Sequence, residues 1–143
     1  MEILITICAR GGSKGIAGKN IKIINGNPLI YYTLKTASLL KDKSNWPIDI
    51  VLSTDSNEIK SIVSLLGFQV DLNYIRPNFL ATDSAGKIGA IKDVKSYMEK
   101  KYIKKYDYVL DLDVTSPLRS VNDLENGLEL IHENKDAYNL FSV

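Results

Sequence analysis

Runs of apolar and β-branched residues alternate along this chain with stretches whose apolar positions recur at helical spacing. Ile3–Cys8 is a continuous apolar run, the pattern of a strand buried on both faces of a parallel sheet. Residues 49–53 (DIVLS) form a second such run, and 68–72 a weaker third. Residues 106–112 (YDYVLDL) form a fourth, and 137–143 read as the start of a fifth. Between them, Asn27 and Pro28 read as N-cap and first helical residue of a helix over 29–40. Asp55 or Ser56 caps a helix closed by Gly67. A further helix spans 84 or 85 to about 105 and is basic at its end. The last spans 120–134, with Asp123 and Glu125 in the first turn, where the helix dipole favours acids. The alternation predicts an α/β fold with a mostly parallel sheet in one domain over residues 1–143. The chain stops within the predicted fifth strand, so a chain shortened before further elements is expected.

Composition removes several classes of function. The 143 residues carry 18 Lys+Arg against 17 Asp+Glu, a net charge of +1. That balance gives no overall field for holding nucleic acid or an anionic membrane. The basic, aromatic run 100–106 is then read as a solvated helix end. One cysteine excludes an internal disulfide and a Cys-based metal site, and a reducing, cytoplasmic compartment is expected. No apolar run approaches the roughly 18 residues of a membrane span. Cys8 reads as a small core residue, and His132 as a helix-surface residue near a C-terminus.

The candidate chemistry lies directly after the first strand, in Ala9-Arg10-Gly11-Gly12-Ser13-Lys14-Gly15-Ile16-Ala17-Gly18-Lys19-Asn20. In α/β sheets, ligands bind at the carboxyl ends of strands. Glycines let backbone N–H groups turn toward an anion. Arg10, Lys14 and Lys19 crowd together, and a polyanion such as a triphosphate would relieve their repulsion. The loop is not a Walker P-loop: Ser13 stands where the first glycine should be, and Asn20 replaces the Mg-binding hydroxyl. Nor does it contain G-x-G-x-x-G. The competing reading is a solvated loop whose glycines serve turns.

At this point the residues carry a resemblance. ARGGSKGIAGKN resembles the nucleotide-binding motif of the CMP-sialic acid synthetase (acylneuraminate cytidylyltransferase) family. Residues 28–33 (PLIYYT), 52–56 (LSTDS), Arg76-Pro77 with Leu80-Ala81 and Asp83, and 112–119 (LDVTSPLR) are similar to further family segments in the same order. The D-V-T-S-P-L-R form is more like the branch acting on legionaminic acid. The resemblance implies a three-layer α/β/α architecture, similar to nucleotide-diphospho-sugar transferases. It implies transfer of CMP from CTP to the anomeric hydroxyl of a nonulosonic acid, with release of pyrophosphate and a requirement for Mg²⁺. A homodimer is expected of the full-length protein, with an acidic pair of metal ligands later in the chain.

Carried over residue by residue, the resemblance assigns catalysis to Arg10, Lys19 and Asp113. Nucleotide binding falls to Arg10, Gly11, Gly12, Ser13, Lys14, Lys19, Asn20, Arg76 and Asp83. Substrate binding falls to Lys87, Thr115, Ser116 and Arg119. Lys87, where sialic acid enzymes often carry serine, could meet a sugar carboxylate or lie on an exposed helix face. Period-2 alternation puts Asp111 and Asp113 on one side of their strand. Asp113 is assigned to Mg²⁺, against the alternative that it caps the Thr115-Ser116-Pro117 turn. The rival functions are a cytidylyltransferase for an eight-carbon sugar acid and a CTP-binding module without catalysis.

Overall fold

A computed structural model describes residues 1–12, 15–82 and 84–142. Three parallel strands form the sheet: β1 (Ile3–Cys8), β4 (Ile48–Ser53) and β5 (Tyr108–Asp111), in the order β4-β1-β5. The register pairs Ile3 with both Ile48 and Tyr108, and Thr6 with both Val51 and Asp111. Among the described residues, four α-helices accompany it: α1 (Leu29–Lys43), α2 (Asn57–Leu65), α3 (Lys87–Tyr102) and α4 (Val121–Glu133). A short hairpin, β2 (Ile23–Ile24) with β3 (Asn27–Pro28), stands apart from the sheet.

Alternation along β1 sorts the layers. Ile3, Ile5 and Ile7 are fully buried in one cluster with Leu34 and Leu40 of α1, Ile59 and Val63 of α2, and Leu124 and Leu128 of α4. Leu4 faces the other way, with Val94 and Met98 of α3, Tyr74 and Tyr106. The expected three-layer α/β/α arrangement is therefore present, with α3 alone among the α-helices contributing to the second cluster. Each fully buried Leu or Ile adds about 1.5–3 kcal/mol of transfer free energy. By the same alternation, Thr6 and Cys8 follow Leu4 on the α3 side. There the strand turns from aliphatic to polar as it nears its carboxyl end.

Several expected elements take a different form. Residues 68–72 do not form a strand. Asp71 alone makes a parallel bridge to Val51, donating to the Ile50 carbonyl at 2.8 Å and accepting from Leu52 N–H at 3.1 Å. The side chain of Asp71 ends the ladder, because it binds Lys101, the Tyr102 hydroxyl and Asn73 N–H. The described residues of 137–143 form no strand, and Tyr138 and Phe141 are exposed rather than buried as a core strand requires. Pro28 is the N-cap of α1 and pairs with Ile23 rather than opening the helix from within. The helix predicted from 84 or 85 begins at Lys87 and stops at Tyr102, where Ile103 turns left-handed at φ 52°. Ser56 caps α2, and Ser120 and Asp123 form a reciprocal capping box on α4.

Candidate active site

The strand order places residue 71 and β4 on one side of β1 and β5 on the other. The connection direction therefore reverses between β1 and β5, and the crevice beyond their carboxyl ends is where such sheets bind ligands. A cavity of about 290 Å³ lies in this position. Arg10, Lys19, Asn20, Arg76, Lys87, Asp113 and Thr115 line it, together with Cys8 and Thr82. Four basic side chains and one carboxylate thus meet around a space of small-molecule size.

Each wall has a local cause. Arg10 follows β1 after the buried Ala9, whose N–H continues the ladder to the Ser53 carbonyl at 3.0 Å. Gly18 takes φ 62°, a left-handed turn natural to glycine, and starts the 3₁₀ turn Lys19–Ile21. That turn buries Asn20, whose amide donates to the Arg10 carbonyl at 3.1 Å and staples the loop to itself. Lys19 lines the cavity and makes no ion pair among the described residues. Gly11 N–H donates to the Asp55 carboxylate at 2.8 Å, so this amide holds the loop to the start of α2.

Arg76 is 6% exposed and donates twice to Ser53, from Nε to the hydroxyl at 3.0 Å and from Nη2 to the carbonyl at 2.8 Å. Its own N–H bonds the Thr54 carbonyl at 3.1 Å. A segment without strand structure is thereby fixed across the end of β4.

Asp113, which lines the cavity, and Asp111, which does not, share one partner. Lys87 Nζ lies 2.6 Å from Asp111 Oδ2 and 3.4 Å from Asp113 Oδ2. The buried Thr6 hydroxyl donates to Asp111 Oδ1 at 2.8 Å. Asp113 Oδ1 accepts from the Thr115 N–H at 3.3 Å and hydroxyl at 3.1 Å, so this carboxylate does cap the turn that follows. Burial works to raise the Asp113 carboxyl, but the Lys87 charge and the two Thr115 donors outweigh it and hold it below the usual range. Burial likewise works to lower Lys87, and the two aspartates reverse that and raise it. The Cys8 thiol is pushed up to about 11, by burial first and then by Asp111, so it is not a thiolate nucleophile at neutral pH.

Not every expected residue reaches the cavity. Ser13, Lys14 and Asp83 lie outside the described residues. Gly11, Gly12, Ser116 and Arg119 are not among those that line it. The Arg119 carbonyl accepts from Thr36 of α1, and the Arg119 Nη1 is buried with no hydrogen-bond partner among the described residues. Conversely, Cys8, Leu80, Thr82, Ala85 and Ala90 line the cavity without having been singled out for it. For Cys8 a signal existed: in alternation with Leu4 and Thr6 it sits at the end of the α3-facing row.

The Asp113 carboxylate and the Thr82 and Thr115 hydroxyls along the cavity suit a hard divalent cation, and Mg²⁺ is usually held by one or two carboxylates together with substrate phosphates. Asp113, half-exposed at the cavity, fits that role. No group of three or more His, Cys, Asp or Glu among the described residues would hold a metal without help from a ligand. Nor, among those residues, is any helix long and apolar enough to cross a membrane.

Comparison with known proteins gives a consistent picture. The post-translational flagellin modification protein B of Campylobacter coli is 39% identical over 94% of this chain and 55% of its own length. The CMP-N,N'-diacetyllegionaminic acid synthase of Campylobacter jejuni is 38% identical over 81% of this chain and 47% of its own. The chain spans about half the length of these curated relatives. Among solved structures, CMP:2-keto-3-deoxy-manno-octonic acid synthetase, complexed with CTP, superposes with a TM-score of 0.72 at 19% identity. It covers 94% of this chain and 49% of that protein, a likeness of fold. The family model described as cytidylyltransferase matches residues 4–143, and by that match this chain belongs to the cytidylyltransferase family.

Proposed function

We propose that this chain is the nucleotide-binding α/β unit of a cytidylyltransferase that activates a nonulosonic acid of the legionaminic or sialic type, forming a CMP-sugar and pyrophosphate from CTP. The observation that carries this reading is the cavity at the β1–β5 switch point, where Arg10, Lys19, Asn20 and Asp113 converge. Relatives bearing legionaminic, sialic and pseudaminic acid names support the acceptor class.

The reaction forms a bond from the acceptor's anomeric oxygen to the α-phosphorus and breaks the bond to the pyrophosphate oxygen. Such a displacement needs positioning and charge neutralisation more than covalent chemistry by the protein. Lys19, without a carboxylate partner among the described residues, neutralises the pyrophosphate as it leaves. Arg10 and Asn20, stapled through the Arg10 carbonyl, fix the nucleotide against the end of β1. Arg76, spent largely on Ser53, shapes the nucleoside side of the cavity. Thr115 faces the acceptor, and Lys87, its charge already engaged by Asp111 and Asp113, borders the same side of the cavity. When bound, Mg²⁺ would supply charge neutralisation at the phosphates, with Asp113 as its ligand from this chain. A cytoplasmic location and a homodimeric enzyme belong to the same proposal.

The test is calorimetry with CTP and ATP, followed by a pyrophosphate-release assay over a panel of acid sugars. Saturable binding of CTP in preference to ATP, with turnover confined to nine-carbon acids, is expected. Turnover confined to an eight-carbon acid would replace the acceptor class. CTP binding without turnover would favour the second reading, a nucleotide-binding unit without catalysis. That reading draws on a cavity to which the described residues contribute one carboxylate.

A further inference from the structure

Lys87 stands in a position that its local structure disfavours. It is the first residue of α3, where the helix dipole opposes a cation, and that first turn contains no acid. Among the described residues, no side chain caps the helix at Gly86. A local rule broken in this way needs a compensating contact, and such breaks concentrate at functional sites. The compensation comes from the end of β5 and the turn after it: the ammonium touches Asp111 at 2.6 Å and Asp113 at 3.4 Å, so one positive charge already joins the two carboxylates. The two contacts are unequal. Asp111 is held from behind by Thr6 and keeps the shorter bond, whereas Asp113 is the more exposed and the more loosely engaged.

We propose that Lys87 is a resident cation that closes the Asp111–Asp113 pair to divalent metal in the free protein, so that metal enters only together with the nucleotide's phosphates. Asp113, the loose partner, would be the carboxylate that holds the nucleotide-borne ion, while Lys87 stays on Asp111. Asp111 is thus a positioning residue that acts through Lys87. The second half of this scheme rests on the nucleotide reading above; the first half does not.

The experiment titrates Mn²⁺ into the protein without nucleotide, read by the loss of the free-ion electron paramagnetic resonance signal. The wild type is expected to show no saturable site at millimolar metal. Lys87→Met removes the charge while keeping the stem, and should expose a two-carboxylate site that binds at least about tenfold tighter, the scale of a 1.4 kcal/mol change. Lys87→Arg should remain closed, and Lys87→Met combined with Asp111→Asn should lose the gained site. Circular dichroism checks that each variant folds. If Lys87→Met proves misfolded, Lys87→Gln serves the same comparison. A wild type that binds Mn²⁺ as tightly as Lys87→Met, or a Lys87→Met variant with no gain, overturns the proposal. Neither result depends on whether CTP binds, which the calorimetry above decides separately.

Discussion

Arg76 grips a single residue, Ser53, through both its hydroxyl and its carbonyl, at 3.0 and 2.8 Å. Ser53 is the last residue of β4 and fully buried. Removing the guanidinium strands these acceptors away from water, whereas a shorter ammonium could satisfy only part of the pair. Arg76→Ala should therefore cost about 3 kcal/mol, as expected for losing buried charge-assisted hydrogen bonds, and Arg76→Lys less. Urea denaturation measures both; an Arg76→Ala midpoint equal to that of the wild type would show the grip to be incidental.

Lys19 presents the opposite case, a charge that the described fold leaves to its ligand. Lys19→Met should leave stability within about 0.5 kcal/mol of wild type, as for a surface change away from packing. Its effect should fall on the nucleotide: CTP affinity lower by about tenfold or more, the loss of one charge-assisted contact. Thermal melting and calorimetry separate the two effects. A variant that melts early and binds CTP normally would reverse the assignment.

The frame of the fold was legible because burial leaves strong patterns. The bounds of β1 match the apolar run, and Ser56, Gly67 and Ser120 mark helix ends by known chemistry. The hairpin was missed although its signal is present: Asn25 and Gly26 both take positive φ, 48° and 80°, as the favoured two-residue turn requires. Only two residues flank that turn on each side, too few for alternation to register. Residues 68–72 misled for another reason. Their apolar members pack on the core without a ladder, because burial alone does not specify strand pairing. At the site, the loop and Asp113 could be found by motif and alternation. The coupling of Lys87 to Asp111 could not, because it joins a helix start to a strand end through the tertiary structure.

The loop's glycines should differ sharply in tolerance. A Cβ on Gly11 would lie 3.0 Å from the Ser56 Cβ, whereas one on Gly12 meets nothing within 4 Å. Ser56 is the N-cap of α2, so the neighbour that must yield also holds Ile59 N–H. Gly11→Ala should cost about 1–3 kcal/mol by overpacking, and Gly12→Ala should stay within about 0.5 kcal/mol. Chemical denaturation of the two variants side by side tests this, and equal costs would refute the close approach at Gly11.

Acid should weaken the fold through a few identifiable carboxylates. Glu99 is held at about 2, by Lys95 first, then by Lys105 and the Tyr106 N–H, with burial opposing. Asp49, Asp71 and Asp113 are also held below their usual range, against burial, by Lys104, Lys101 and Lys87 respectively, each with further donors. A carboxyl depressed in the folded state contributes stability above its unfolded value and loses it as pH falls through its folded value. Lys87, Lys101 and Lys104 are raised, so their share is complete below the ordinary lysine value and fades only in strong alkali. The melting temperature should thus hold through neutrality and fall between about pH 5 and pH 2. Glu99→Gln removes one contributor, so it should lower the neutral-pH melting temperature and flatten the acid decline. Melting curves across that range decide the point: a variant with the wild-type slope would show that the Lys95–Glu99–Lys105 cluster carries none of the acid sensitivity.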